Sequence, residues 1–122
     1  MKKIAISSEG PSLEDRVDPR FGRAAGFIII EPQTLKFEYV NNGEAQVRAQ
    51  GAGIQAAETV ARHGVTSVLT GYVGPKAFQA LSAAGIRVAQ GLENVTVREA
   101  LEKFQKGAVT WAKLSDARGG GA

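Results

Sequence analysis

Residues 3–7 (KIAIS) alternate, with Ile4 and Ile6 on one face, the period of two expected of a strand. A polar stretch from Ser8 to Arg23 follows. Residues 26–31 (GFIIIE) are then continuously apolar and β-branched, too short for a helix and suited to a central strand buried on both faces. Glu31-Pro32-Gln33-Thr34 has turn chemistry, with Pro32 preset for the second turn position, and alternation resumes over 35–41 (LKFEYVN). These strands predict an antiparallel meander.

Beyond Gly43 the period lengthens. Ile54, Ala57, Val60 and Ala61 recur at helical spacing and predict a helix over 52–63, closed by Gly64. Residues 65–70 (VTSVLT) read as a short buried strand. Pro75 suits a first helical position, so a second helix carries Ala77, Phe78, Leu81 and Ala84 and stops at Gly85. Ile86 to Ala89 supplies a fifth strand. Thr96 and Glu99 form a capping box, with Val95 and Ala100 placed for a hydrophobic staple, and open a third helix through Val97, Leu101 and Phe104 to Gly107. The segment from Ala108, with Trp111, is read as one loose extra element, and 118–122 (RGGGA) as disordered.

The order β-β-β-α-β-α-β-α predicts an α/β, ribonuclease-H-like three-layer fold: a mixed five-stranded sheet of order 3-2-1-4-5 with strand 2 antiparallel and right-handed crossovers. There is no internal repeat, so residues 1–106 are expected to form one domain and 107–122 a partly disordered tail. The chain leaves strand 1 on one side and returns as strand 4 on the other, which creates a switch point where open α/β sheets bind ligands.

Composition narrows the chemistry. The 122 residues include no Cys and a single His, which excludes disulfide scaffolds, zinc ribbons and Cys-ligated iron–sulfur sites. A net charge of +3 is too modest for a nucleic-acid footprint. No apolar run reaches the roughly 18 residues of a membrane span, and the N-terminus has no signal-like apolar core, so a cytoplasmic location without membrane contact is expected.

Three predicted helix N-termini meet on one edge of the sheet, each bringing unpaired N–H groups and partial positive charge, a ready anion site. Two of the entries are Gly-rich: Gly51-Ala52-Gly53 and Gly71-Tyr72-Val73-Gly74. The long loop carrying Asp18-Pro19-Arg20-Phe21-Gly22-Arg23 reaches the same rim. Its guanidiniums flank Phe21 and Gly22 and suit anion clamping, or else pair with Asp15 or Asp18. Lys76 occupies a first helical turn, where a cation opposes the helix dipole. Tyr72 can stack on a ligand, whereas Trp111 is read as packing. His63 falls at the last turn of its helix, roughly 16 Å from the rim, and reads as a dipole-friendly helix-end residue. A nucleophile–base pair is missing, and strand 1 lacks the acidic metal ligands of a two-metal nuclease.

In order and spacing, VDPRFGRA (17–24), GAGIQAAE (51–58) and TGYVGPKAFQAL (70–81), following the KIAIS strand, resemble the dinitrogenase iron–molybdenum cofactor biosynthesis family, the NifX-like domain. The likeness spans about residues 1–106. It implies a ribonuclease-H-like domain that holds and carries or stores a metal–sulfur cluster without turnover, exchanging it with a cofactor-donor or acceptor protein. One branch, the orange proteins of sulfate reducers, holds a molybdenum–copper sulfide cluster without a covalent protein link. The implied cargo is therefore a non-covalently held cluster of molybdenum with iron or copper. Soft metals normally want thiolate, but a cluster already coated in sulfide or oxide needs amide donors, Arg or Lys and a dry wall. The resulting expectation is a non-enzymatic cluster site with Arg20, Arg23 and Lys76 as counter-charges and the backbone of Gly51, Gly53, Gly71 and Gly74 as donors, with Phe21, Gly22 and Tyr72 also in the site. The same rim would also cradle a phosphate-bearing metabolite or nucleotide.

Overall fold

A computed structural model describes residues 2–46 and 50–113. In chain order the elements are β1 (Lys3–Ser8), β2 (Gly26–Ile30), β3 (Phe37–Asn41), α1 (Gly43–Gln46), α2 (Ala52–Arg62), β4 (Val65–Leu69), α3 (Pro75–Ala83), β5 (Arg87–Gln90), α4 (Val97–Gln105) and β6 (Thr110–Trp111). They build one mixed sheet of order β3-β2-β1-β4-β5-β6. β2 lies antiparallel between β1 and β3, while β1, β4 and β5 run parallel.

Strand pleating sorts the apolar side chains into two cores. Ala5, Phe27, Ile29, Val68 and Val88 face α2 and α3, packing on Ala56, Val60, Ala77 and Leu81. Ile4, Ile6, Ile28, Ile30 and Leu69 face the opposite way, toward Val97, Ala100 and Leu101 of α4. With helices on both faces, β2 is buried from end to end, which is why its sequence is continuously apolar, whereas the edge strand β3, partly exposed, alternates. The three longer helices each stop beside a left-handed glycine, Gly64, Gly85 or Gly107.

The sheet differs from expectation in having six strands rather than five. β6 adds an antiparallel edge to β5, pairing Ala89 with Trp111 and Gln90 with Thr110, and the Ala112 N–H donates to the Val88 carbonyl at 2.7 Å. Two residues are too few to show a period. What holds them is Trp111, edge-on to Phe104 at 6.2 Å and covered by the Arg87 guanidinium at 3.8 Å. The tail thus begins inside the sheet, and its expected disorder over 118–122 lies outside the described residues. The β2–β3 turn is longer than expected: Glu31 and Lys36 are bonded across it and Leu35 takes a left-handed φ of 63°, so β3 starts at Phe37 rather than Leu35. The short α1, also unexpected, starts where Asn41 Oδ1 accepts the Gly43 N–H at 2.6 Å.

Candidate functional site

The carboxyl ends of β1 and β4 lie side by side, and the loop over residues 9–25 folds back across them. Asp18 N–H donates to the Ser7 carbonyl at 2.9 Å, and Ser7 Oγ lies 2.7 Å from both the Asp18 carbonyl and Thr70 Oγ1. Ser7 and Thr70 are fully buried. A hydroxyl has one proton, so when Ser7 donates to Asp18, Thr70 donates to Ser7. This fork fastens the loop to both strands at the switch point.

The loop's tip is held from inside by two further buried polar side chains. The Asp18 carboxylate, 6 % exposed, accepts the Arg20 and Ala25 N–H groups at 3.1 and 3.2 Å. Asn42 Nδ2 donates to the Gly22 and Ala24 carbonyls at 3.3 and 3.0 Å. Phe21 is fully buried, its ring 5.2 Å from that of Phe27, so it anchors the loop from below. Gly22 is buried as well. Arg20 is left exposed. Arg23 is half-buried, and its Nη1 donates to the Gln46 carbonyl at 3.1 Å, toward the entry to α2.

A second loop, residues 70–74, is stitched to the first. Tyr72 N–H donates to the Pro19 carbonyl at 2.9 Å, and Phe21 N–H donates to the Tyr72 carbonyl at 3.1 Å, which brings Arg20 and half-buried Tyr72 into register. Gly71 makes this approach possible, because a Cβ there would lie 2.6 Å from Pro19 Cα. The Gly71 carbonyl in turn accepts the Gly91 N–H at 2.8 Å, tying in the loop after β5. Gly74 then caps α3 and Lys76 stands exposed in its first turn.

The helix N-termini on this edge are not equivalent. Gly51 caps α2 and Gly74 caps α3; neither helix has a side-chain cap or an acidic residue in its first turn, and Gly53 is buried within that of α2. At α4, Thr96 Oγ1 accepts from Glu99 N–H, Glu99 Oε1 accepts from Thr96 N–H, and the Val97 and Arg98 amides bond the Asp15 and Leu13 carbonyls. The first amides of α4 are therefore spent, and of the three expected anion-facing helix ends only those of α2 and α3 remain without side-chain caps. The Thr96 backbone bond, then the Thr96 hydroxyl, hold the Glu99 carboxyl below its ordinary range, with Arg16 and Lys103 adding to the effect. Desolvation, then the Asp15 and Asp18 charges, raise the Tyr39 phenol above its ordinary value.

Among the described residues, neither Arg20 nor Lys76 has an ion-pair partner. Asp15, like Asp18, accepts from backbone, at Ser12 N–H. No cluster of three or more His, Asp or Glu suited to a metal ion occurs among those residues. His63 ends α2, with Nδ1 2.9 Å from the Thr59 carbonyl and Nε2 3.9 Å from Glu38 Oε1. No helix there is long and apolar enough to cross a membrane. Sequence reasoning missed Ser7, Thr70, Asp18 and Asn42 as the fasteners of the site, since no period or punctuating residue marks them as buried.

By architecture the molecule is a three-layer α/β domain whose strand ends at the switch point are covered by two stitched loops, and in this class ligands bind at the switch point. The chain belongs to the dinitrogenase iron–molybdenum cofactor family, whose model matches residues 1–107. It is similar to the apo form of the orange protein from Desulfovibrio gigas, at 55% identity and a TM-score of 0.89 over 92% of this chain and 93% of that one. A Thermotoga protein, TM1290, described as a candidate NifB protein of the DUF35 family, shares 34% identity at a TM-score of 0.79 over 91% and 93% of the two chains. The uncharacterized protein MJ0580 of Methanocaldococcus jannaschii is 28% identical over 109 residues, 88% of each chain.

Proposed function

We propose that the rim binds an anionic metal–sulfur cluster without covalent attachment and carries or stores it for a donor or acceptor protein, with no turnover of its own. Family membership and the likeness to an orange protein support a cofactor-handling role. The observation that carries the reading is the pairing of two helix N-termini lacking side-chain caps and acid with Arg20 and Lys76, which have no ion-pair partner among the described residues. A sulfide- or oxide-coated molybdenum cluster, with iron or copper, fits such donors: it needs N–H groups and positive charge rather than thiolates. Attraction between a di- or trianion and two or three cations at an effective dielectric near 20 is on the order of several kcal/mol before desolvation.

In this reading Arg20, Arg23 and Lys76 supply charge, Gly51, Gly53, Gly71 and Gly74 supply the approachable backbone, and Tyr72 forms a wall. Phe21 and Gly22 act from beneath by setting the loop. Residues 1–106 form the binding unit, and β6 extends the sheet beside β5. The test adds tetrathiomolybdate with copper(I), without air, to the apo protein and follows visible absorbance through gel filtration. Retained colour that weakens with salt and falls at least tenfold in affinity in the Arg20→Gln/Lys76→Gln double variant is expected. Colour unchanged in the double variant refutes the site. Tight binding of a nucleotide by calorimetry with no retained colour refutes the cargo and favours the phosphate reading.

A further inference from the structure

The far edge of the sheet, where the parallel strands begin, holds a cavity the rim does not explain. α4 starts at the rim and has only nine residues, about 14 Å of helix, and its last turn, with Phe104 and Gln105, ends beside the β2–β3 turn. There a cavity of about 750 Å³ opens, walled by Ile4, Pro32 and Phe104. Gln105 Nε2 closes one side by donating to the Pro32 carbonyl at 3.1 Å. The volume is that of a small-molecule site, and the walls combine these apolar groups with five polar side chains, two of them charged.

Both charges are positive. Lys2 and Arg87 line the cavity and no carboxylate does. Arg87 has no ion-pair partner among the described residues. Its guanidinium is instead fixed flat over Trp111 at 3.8 Å, an arrangement that orients a fork of N–H donors in advance. Ser67, only 2 % exposed, lines the same space, and its hydroxyl has no hydrogen-bond partner among the described residues. Its small accessible area opens onto the cavity, so the hydroxyl is free to bond whatever occupies that space.

We infer that this cavity is a second binding site, for a small amphipathic carboxylate. The acid group pairs with Arg87 and accepts from the Ser67 hydroxyl, and the apolar body lies against Pro32 and Phe104. The site is independent of the cluster reading, because it uses none of the rim residues and sits at the opposite edge.

Octanoate serves as the probe, with octanol as the neutral control, read by calorimetry and by emission of Trp111, the single tryptophan. Saturable octanoate binding at least about tenfold tighter than octanol is expected, with a change in Trp111 emission. Arg87→Gln should weaken octanoate about tenfold and leave octanol unchanged. Ser67→Ala, which leaves the Trp111 stack intact, should weaken octanoate several-fold and serves if the first variant loosens β6. Neither variant should alter cluster colour at the rim. Equal affinity for octanoate and octanol, or octanoate affinity unchanged in both variants, overturns the inference.

Discussion

Gly71→Ala tests how the two rim loops are joined. Gly71 does not have a positive φ, so alanine would fit its backbone conformation; the obstacle is Pro19, whose Cα would lie 2.6 Å from the new methyl. Backbone cannot swing aside as a side chain can. The loops must part, straining the Tyr72-to-Pro19 and Phe21-to-Tyr72 bonds of 2.9 and 3.1 Å. Overpacking costs about 1–3 kcal/mol and two backbone bonds about 1 kcal/mol each. The stiffer unfolded chain returns about 0.4–1 kcal/mol. The net expectation is a loss of about 2–4 kcal/mol, read as a lower urea midpoint at unchanged slope. Gly64→Ala is the control of opposite kind, with open space around its Cβ but a φ of +71°, and should cost about 1 kcal/mol through strain alone. The loosened loop should also displace Arg20 and weaken anion binding. If Gly71→Ala matches the parent within about 0.5 kcal/mol, the stitched-loop account is wrong.

Ser7→Ala removes the hydroxyl shared by Asp18 and Thr70 and should cost about 1–3 kcal/mol in urea unfolding, because buried partners lose a bond. Thr96→Ala should cost about 1 kcal/mol, and a double-mutant cycle with Glu99→Gln should be non-additive because the two residues cap each other. Since the Glu99 carboxyl is lowered in the fold, its contribution is present above the ordinary value of about 4.5 and lost as pH falls through the lowered one. A pH–stability profile of Glu99→Gln should lack that segment. Tyr39 behaves oppositely: its raised phenol contributes stability below about 10 that is lost as pH rises toward the folded value, and Tyr39→Phe should flatten the alkaline limb of the same profile.

Where a period or a punctuating residue exists, the chain announces its structure. The continuous run at Phe27–Ile30, the helical stripe of α2 and the capping box of α4 all appear where the pattern puts them. Leu35 in a left-handed conformation and the two-residue β6 carry no such mark, because tertiary contacts determine both. At the rim, Arg20, Tyr72 and Lys76 could be placed on loops and helix ends, yet counting helix N-termini there overstates the free donors. The Thr96–Glu99 pair that marks where α4 starts, together with the Asp15 and Leu13 carbonyls, consumes its first amides. The fasteners Ser7, Thr70, Asp18 and Asn42 were hidden for a different reason: nothing local distinguishes a buried serine or asparagine from a surface one.

The placement of the single tryptophan affects how this protein can be watched unfolding. Trp111 belongs to the last and shortest strand among the described residues, clipped to the sheet's fringe by two ladder pairs, a guanidinium and a perpendicular phenylalanine ring. Fringe strands open at lower free energy than central ones. Intrinsic fluorescence will therefore signal the peeling of that strand, while far-ultraviolet dichroism follows the collapse of β1, β2 and β4. Superimposable curves from the two probes would mean that the fringe and the centre melt as one unit.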